Sequence, residues 1–229
     1  VSKSHMYMIT TMHWNTLIPE QKSIRVYVND DGSEHLLYEG GIISAMPNYD
    51  NAPDVFIEIK SMGGYFFNIK NVEPYSFKGN ISQEQVCKDI CNQYGINCET
   101  YGVLSVCSNP YFNQSGLTNR INAVCRQYGL KCVVENSCVR IYPQNARLVD
   151  NWVIKKDEYI GYPSFTDVGV KIKLDRLYYD MRILDTFTIK GSEVSAANDK
   201  WDVINYEYNL STKIGGKWEM TICGIRSGL

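Results

Sequence analysis

Hydrophobic positions follow a helical pattern twice between residues 81 and 142. In each segment the apolar residues recur at spacings of three and four, which is typical of a helix with one buried face. The first stripe is Val86, Cys87, Ile90, Cys91 and Tyr94, and the second is Leu117, Ile121, Val124, Cys125 and Tyr128. A glycine follows each stripe, and glycine ends helices because it adopts the left-handed conformation without steric cost. The pattern predicts two short helices that end at Gly95 and Gly129.

The two helices belong to an internal repeat. Cys91 and Cys125 are 34 positions apart (125 − 91), and so are Cys98 and Cys132 (132 − 98). Repetition at a fixed offset indicates a duplicated structural unit. The offset equals the tetratricopeptide period, but each unit has one helix followed by β-prone residues, which excludes that fold. We predict a duplicated helix–strand module.

The start of the first helix has its own signal. Ser82 followed by Gln85 matches a capping box, in which side chains satisfy free backbone N–H groups at the helix start. Ile81 and Val86 occupy the positions of a hydrophobic staple. These residues place the first helical turn directly after Ser82.

Alternating apolar and polar residues predict strands before the repeat. The runs at residues 23–28, 36–44, 55–60 and 65–72 are separated by turn clusters at 29–32 and 63–64. An antiparallel meander of this kind hides its edges by curling into a small barrel or sandwich. A short helix is also predicted for residues 2–12.

A second β region follows the repeat. Residues 143–150 read as a linker, and strands are predicted around residues 170–174, 187–189, 203–210 and 218–222. The predicted fold is mainly β with an α+β insert: two small antiparallel barrels or sandwiches flank the duplicated module. The predicted domains are residues 1–74, 75–147 and 148–229.

Composition narrows the class of protein. The chain has 229 residues, 44% of them hydrophobic, with 23 basic and 25 acidic side chains and a net charge of −2. A near-neutral balance lacks the basic footprint of a nucleic-acid-binding protein. The sequence has no apolar run of the ~20 residues that a membrane-spanning helix needs, and no signal peptide is recognisable. We therefore expect no membrane anchor.

The eight cysteines allow three interpretations of their role. Several of them fall on the predicted apolar stripes, where free cysteine packs as a small hydrophobe. Disulfides are the second reading, although a chain of this length can bury a core without them. A metal site is the third, although no C-x-x-C pair is present. Reduced core thiols are the favoured reading, and they imply synthesis in a reducing cytoplasm.

No constellation of catalytic residues is recognisable. The three histidines (His5, His13 and His35) lie near the N-terminus without a partnering carboxylate cluster, whereas a general base needs a positioned partner. The acids Asp30, Asp31, Asp50 and Asp54 read as solvated turn residues. No phosphate loop, nucleophile elbow or zinc-protease motif occurs. We predict no catalytic, cofactor-binding or metal site, no cofactor, and a protein that is not an enzyme.

Four phrases, in this order around the repeat, resemble the baseplate hub proteins of tailed bacteriophages. They are Gly41-Ile-Ile-Ser-Ala45 with the following stretch to Val55, Ser108-Asn-Pro-Tyr-Phe112, Gly161-Tyr-Pro-Ser-Phe-Thr166 with Gly169-Val170, and Gly215-Gly-Lys-Trp218. The resemblance covers residues 24–226. It departs from the family at residues 177–185, where related chains have a polar turn. The family also usually has a strand before the segment that starts at residue 1, and without that strand the first barrel would have an exposed edge.

The resemblance implies a structural virion component with two tail-tube-like barrels. It implies a homo-oligomeric ring, usually a trimer, that joins the tail tube to the central spike. DNA would pass through the lumen without specific binding, and the protein would be made in the host cytoplasm and reside in the virion tail. Two alternatives remain from the residues themselves: a carbohydrate- or receptor-binding module of a phage tail, suggested by aromatic-rich β regions, and a hydrolase or metalloprotein built on the cysteines.

Overall fold

A computed structural model describes residues 22–50, 55–102, 105–144, 146 and 151–227 of the chain. The protein is mainly β. It divides between residues 144 and 145 into two compact units, each described by itself here. The helix predicted for residues 2–12 lies outside the described residues.

The first unit begins with a three-stranded antiparallel sheet. Its strands are β1 (Ser23–Asp30), β2 (Ser33–Asn48) and β3 (Phe56–Met62), in the order β1-β2-β3. The three predicted strands are present, and β3 alternates between half-buried and exposed side chains as its sequence predicts. Among the described residues the sheet has two open edges, and it does not close into the expected barrel or sandwich. Alternation reveals which residues form strands, whereas closure depends on pairing with distant chain that no local pattern records.

The prediction of a strand at residues 65–72 is wrong. Tyr65–Ile69 forms a short helix, α1, after Gly64 in the left-handed conformation (φ 72°). The helical turn brings the Phe66 ring onto Gly41 of β2, where an added Cβ would lie 2.8 Å from Phe66 Cε2. Phe67, the next residue, packs against the core of the first unit. Tertiary packing of these aromatic residues overrides their intrinsic preference for strands.

The two predicted helices occupy the predicted positions. They are α2 (Gln83–Tyr94) and α3 (Leu117–Tyr128), and each ends at a glycine in the left-handed conformation. The Gln85 backbone N–H donates to Ser82 Oγ at 3.1 Å, which confirms the N-cap at the start of α2. The buried face of each helix contains the predicted stripe, with Tyr128 partly buried, and it also includes Gln83 in α2 and Arg120 in α3.

The helices pack together with a second three-stranded sheet. Its strands are β6 (Asn97–Thr100), β10 (Cys138–Pro143) and β9 (Leu130–Glu135), in that order. β6 runs parallel to β10 and β9 antiparallel to it, so the strands that follow the two helices lie on opposite sides of β10. Two short pairs complete the unit: β4 (Tyr75–Ser76) with β8 (Tyr111–Phe112), and β5 (Asn80–Ser82) with β7 (Val106–Ser108).

The second unit is one six-stranded sheet. The strands are β11 (Asn151–Lys155), β12 (Ser164–Thr166), β13 (Gly169–Leu174), β14 (Thr186–Lys190), β15 (Lys200–Leu210) and β16 (Trp218–Arg226). Their order is β11-β14-β15-β16-β13-β12. The expected antiparallel sheet is wrong at one position, because β11 and β14 pair in parallel. A parallel pair needs a long crossover, and the β12–β13 hairpin lies within this one.

Residues 175–185 form a packed irregular segment. Leu177, Tyr178, Met181 and Asp185 are buried. The Asp185 carboxylate accepts hydrogen bonds from Trp152 Nε1 at 3.0 Å and from the Arg182 backbone N–H at 2.8 Å. The segment therefore contributes buried side chains to the second unit.

Candidate assembly surfaces

Among the described residues, those considered for catalysis are not gathered into a site. His35 is half-buried in β2, while His5 and His13 lie outside the described residues. Asp30 and Asp31 lie at the β1–β2 turn, and Asp50 follows the far end of β2. At about 3.3 Å per residue, β2 separates them by roughly 50 Å of strand. Asp54 is outside the described residues. In the portion that the structure describes, no three metal-binding side chains come together.

All eight cysteines are free, and most of them share one core. Cys87, Cys91 and Cys125 lie in the core of the first unit, and three partly buried cysteines pack against that core, namely Cys98, Cys107 and Cys132. Burial raises the pKa of the Cys87 thiol to about 12. Cys87 is therefore held as a neutral thiol, in keeping with cysteine as a small core residue.

Exposed apolar side chains lie on one face of the first sheet. Met46, Phe56 and Met62 are exposed, although they are large and hydrophobic. Met46 is paired with Glu58 across the sheet, and Phe56, Glu58, Lys60 and Met62 alternate onto the same face. We call this surface, defined by Met46, Phe56 and Met62, the β2–β3 face. A Glu58–Lys60 ion pair of 3.5 Å lies between its apolar groups.

A second exposed apolar group lies at an edge of the second unit. β12 pairs only with β13, so one side of its backbone is unpaired within the described sheet. Tyr162, Phe165 and Val168 on and beside this strand are 63%, 52% and 59% exposed. These three residues define the β12 edge. Open edges with apolar side chains are sites where another chain can add to a sheet.

The β15–β16 hairpin carries a third group. Leu210 pairs with Trp218 at the end of the hairpin, and Ile214 in its turn is fully exposed. Trp218 Nε1 donates to the Ser211 carbonyl at 2.8 Å, which fixes the indole ring beside the turn. Isolated exposed hydrophobic residues are ordinary in proteins, but clusters at sheet edges and turns mark surfaces that contact other molecules.

Comparison with known proteins supplies the family. The family model described as "Baseplate hub gp41" matches residues 16–215, which is most of the chain. The chain belongs to the baseplate hub gp41 family. It is therefore a structural protein of the bacteriophage tail and baseplate type. Of the phrases that suggested this family, the Gly41–Ala45 part of the first lies in β2 and the second spans the end of β7 to β8. The third includes β12 and the start of β13, and the fourth leads from the turn after β15 into β16.

Solved structures with similar folds come from related assemblies. A 43 kDa tail protein of prophage MuSo2 from Shewanella oneidensis matches with a TM-score of 0.65 at 10% identity, covering 93% of this chain and 83% of that chain. A tail protein from Neisseria meningitidis MC58 matches with a TM-score of 0.61 at 9% identity, covering 93% and 89%. At these identities the likeness shows the fold alone.

A third similar structure comes from a secretion system. The c3393 protein of E. coli, described as a component of the type VI secretion system similar to T4 tail proteins gp27 and gp5, matches with a TM-score of 0.59 at 7% identity. The match covers 90% of this chain and 69% of that chain. No curated protein sequence matches the chain. Of the helices that the structure describes, none has the length and apolar character to cross a membrane.

The positions of the exposed apolar surfaces were not predicted from the sequence. The alternation in β3 correctly separates its two faces, but it does not show that Phe56 and Met62 on the outward face are exposed to solvent. The β12 strand was not predicted at all, because its three residues are too few for a period of two to be recognised. The signal available was the Gly161-Tyr-Pro phrase, since a glycine and a proline bounding an aromatic residue indicate a turn leading into a strand.

Proposed function

We propose that this protein is the hub of a tail baseplate, forming a ring that joins the tail tube to the central spike and surrounds the DNA channel. The observation that carries the proposal is the family match over residues 16–215. The ring is a trimer in this proposal, and the chain contributes three parts to it: residues 1–74, 75–147 and 148–229. The role is structural and not enzymatic.

The exposed apolar groups support a role in assembly. The β2–β3 face, the β12 edge and the turn of the β15–β16 hairpin place large hydrophobic side chains in solvent in the isolated chain. Such residues are stabilised when a neighbouring subunit removes them from water, at about 25 cal/mol for each Å² buried. An assembly subunit has a use for these surfaces that a monomeric enzyme lacks.

The charge of the chain is compatible with a DNA channel. The net charge is −2. A strongly basic lining would hold DNA through phosphate contacts and counterion release, which would oppose passage of DNA during ejection. A near-neutral ring lets DNA pass without sequence readout.

The mass of the purified protein in solution tests the trimer. Sedimentation equilibrium across a concentration series should show a species of three times the 26.2 kDa chain mass. The same measurement should be repeated after adding tail-tube or spike protein, since a partner that binds only the ring shifts the equilibrium toward it. A single species of chain mass under all of these conditions would contradict the proposed ring.

The alternative function is a carbohydrate- or receptor-binding module of a phage tail, because exposed aromatic side chains can also bind such ligands. A glycan array of the purified chain separates the two functions. The hub proposal expects no saturable glycan binding, and specific binding through the exposed Tyr and Trp side chains would favour the alternative.

A further inference from the structure

Charge is distributed unevenly along this nearly neutral chain. Between Arg25 and Lys60 the sequence has seven acidic residues and neither lysine nor arginine. The rest of the chain therefore has all 23 basic side chains and only 18 acidic ones (25 − 7), which is a net charge of +5 (23 − 18). Surfaces of opposite charge on one kind of molecule can attract a second copy of it.

The hairpin of β1 and β2 places part of this negative charge at its turn. Asp30, Asp31 and Glu34 are all exposed there. The two strands stay paired up to Asp30 and Ser33, so the turn between them is short. Gly32 within it has a φ of 89°, and an added Cβ would have nothing within 4 Å. The three carboxylates therefore lie at an open end of the hairpin, which we call the acidic turn.

The hairpin of β15 and β16 has the opposite charge at its turn. The residues that connect Leu210 to Trp218 include two exposed lysines, Lys213 and Lys217, and no acidic side chain. Ile214 lies between these lysines in the sequence and is fully exposed. We call this segment, residues 211–217, the basic turn.

The charges of both turns are available to another molecule. The carboxylates of the acidic turn and the ammonium groups of the basic turn form no ion pair with another described residue. By contrast, Lys60 pairs with Glu58 and Lys156 pairs with Glu193 within the chain. A contact between the two turns would therefore form new ion pairs without breaking existing ones.

Exposed apolar side chains accompany the charges at both turns. Val26 and Tyr27 are exposed on β1 near the acidic turn, and Ile214 and Trp218 are exposed at the basic turn. Surface ion pairs contribute little stability individually, and charge mainly determines orientation and partner choice. Burial of apolar groups contributes most of the free energy of association. Each hairpin thus has both parts of a protein–protein contact.

We propose that the acidic turn of one copy docks on the basic turn of a second copy of this chain. The inference rests on the proposed ring and identifies a contact that closes it. Asp30 and Asp31 pair with Lys213 and Lys217, and Ile214 is covered by the apolar side chains of β1. Two different surfaces meet, so successive copies join head to tail, as a closed ring requires. A contact between two identical turns would instead bring like charges together.

Cross-linking of the natural chain tests the contact without a variant. Unlabelled and ¹⁵N-labelled chains are mixed in equal amounts while dilute, concentrated, and treated with a carbodiimide, which joins a carboxylate to an amine in direct contact. Cross-links between the two turns should occur in mixed-isotope pairs as often as in matched pairs. The Lys156–Glu193 ion pair within the chain is the control, and it should give matched-isotope cross-links only.

Tryptic peptides identify the linked residues. The acidic turn lies in peptide 26–60, which has no internal lysine or arginine. Trypsin does not cleave after a cross-linked lysine, so a bond to Lys213 gives peptide 201–217 and a bond to Lys217 gives peptide 214–226. Fragment spectra then distinguish Asp30, Asp31 and Glu34 from the other acids of peptide 26–60.

Charge reversal measures how much the contact contributes. Lys213→Glu/Lys217→Glu and Asp30→Lys/Asp31→Lys should each weaken self-association, measured by sedimentation equilibrium, at least about tenfold. All four substitutions in one chain should restore it, because opposite charges face each other again. The matched control reverses Lys190 and Lys200, two exposed lysines at the opposite end of β15 from the basic turn, and should change association less than about twofold.

The outcomes separate this contact from the ring itself. A trimer that gives no cross-link between peptide 26–60 and either basic-turn peptide overturns the inference and leaves the ring in place. Cross-links between the turns in matched-isotope pairs only also overturn it, because the contact would then lie within one chain. A chain that sediments at its own mass at every concentration contradicts both the inference and the ring.

Discussion

At the scale of single residues, Arg120 is the side chain whose environment is least expected from its chemistry. It is 1% exposed, within α3. Its guanidinium donates to the carbonyls of Gln114, Glu73 and Val72 at 2.8, 2.7 and 3.2 Å and to Gln93 Oε1 at 3.0 Å. One buried cation thereby holds two loops against two helices.

Removing this cation should strongly destabilise the first unit. Arg120→Met keeps a long apolar stem but leaves several acceptors without a donor, which we expect to cost about 3 kcal/mol of unfolding free energy. Urea denaturation measures the loss. The matched control is Arg126→Met, an exposed position on the same helix, which should change stability by less than about 0.5 kcal/mol. Equal effects of the two variants would contradict the role assigned to Arg120.

Glu158 makes the stability of the second unit depend on pH. Although burial alone would raise its pKa, hydrogen bonds from the Lys155 backbone N–H, Arg176 and Tyr178 lower it below the ordinary value. A carboxylate with a lowered folded pKa stabilises the protein above its unfolded pKa, and this contribution is lost as the pH falls through the folded value. The second unit should therefore lose stability on acidification.

A glutamine variant isolates this effect. Melting temperature measured between about pH 6 and pH 3 should fall less steeply for Glu158→Gln than for the natural chain, because the variant has no carboxylate to protonate. Glu207→Gln removes the same charge from an exposed position and should keep the steep profile. A Glu158→Gln profile identical to that of the natural chain would show that the three hydrogen bonds do not favour the carboxylate.

Comparison of the two repeat copies could have predicted the burial of Arg120, which helical periodicity alone does not predict. Subtracting 34 from 120 gives Val86, which is fully buried in α2. An arginine at the position of a core valine breaks the apolar stripe in one copy only. Comparing the two copies residue by residue therefore identifies the buried cation, whereas an average over helical positions treats it as surface.

At the scale of elements, the helices were predictable because every local signal agrees. The Ser82 cap, the apolar stripe and the closing glycine all place α2 at the same residues, and the same stripe and glycine place α3. Agreement between local signals is what makes an element readable from sequence. The start of α3 is different, because Gly116 occupies the N-cap without a side-chain hydrogen bond.

The two glycines that bound α3 should respond differently to alanine. Both have positive φ, 77° at Gly116 and 65° at Gly129. An added Cβ at Gly116 would lie 2.7 Å from the Asn68 carbonyl oxygen, whereas Gly129 has nothing within 4 Å. Gly129→Ala should cost about 1 kcal/mol from backbone strain alone, and Gly116→Ala should cost clearly more, about 2–3 kcal/mol. Urea denaturation of both variants checks the order, and a smaller loss at Gly116 would show that the Asn68 segment moves aside.

Two elements were predicted wrongly because contacts between residues distant in sequence determine their structure. The aromatic run at residues 65–67 has strand-forming residues, yet α1 forms because Phe66 packs on Gly41 of β2. The parallel pairing of β11 with β14 depends on a crossover that spans residues 156–185. Neither contact is between residues close in sequence, so no local pattern contains it.

At the scale of the whole molecule, sequence and structure agree on a mainly β chain with few helices, and the family match assigns it to the phage baseplate proteins. Strand positions followed from alternation, but the order β11-β14-β15-β16-β13-β12 did not. Sheet order and open edges are set by long-range pairing. The surfaces proposed for assembly are therefore the part of the protein that only the structure reveals.

Images of the assembled particle test the central claim most directly. Purified protein, alone and mixed with tail-tube and spike proteins, should appear by negative-stain electron microscopy as rings with three-fold symmetry and an open centre. The rings should bind tube on one side and spike on the other. Isolated particles without a central opening, present in every mixture, would contradict the account of this chain as a baseplate hub ring.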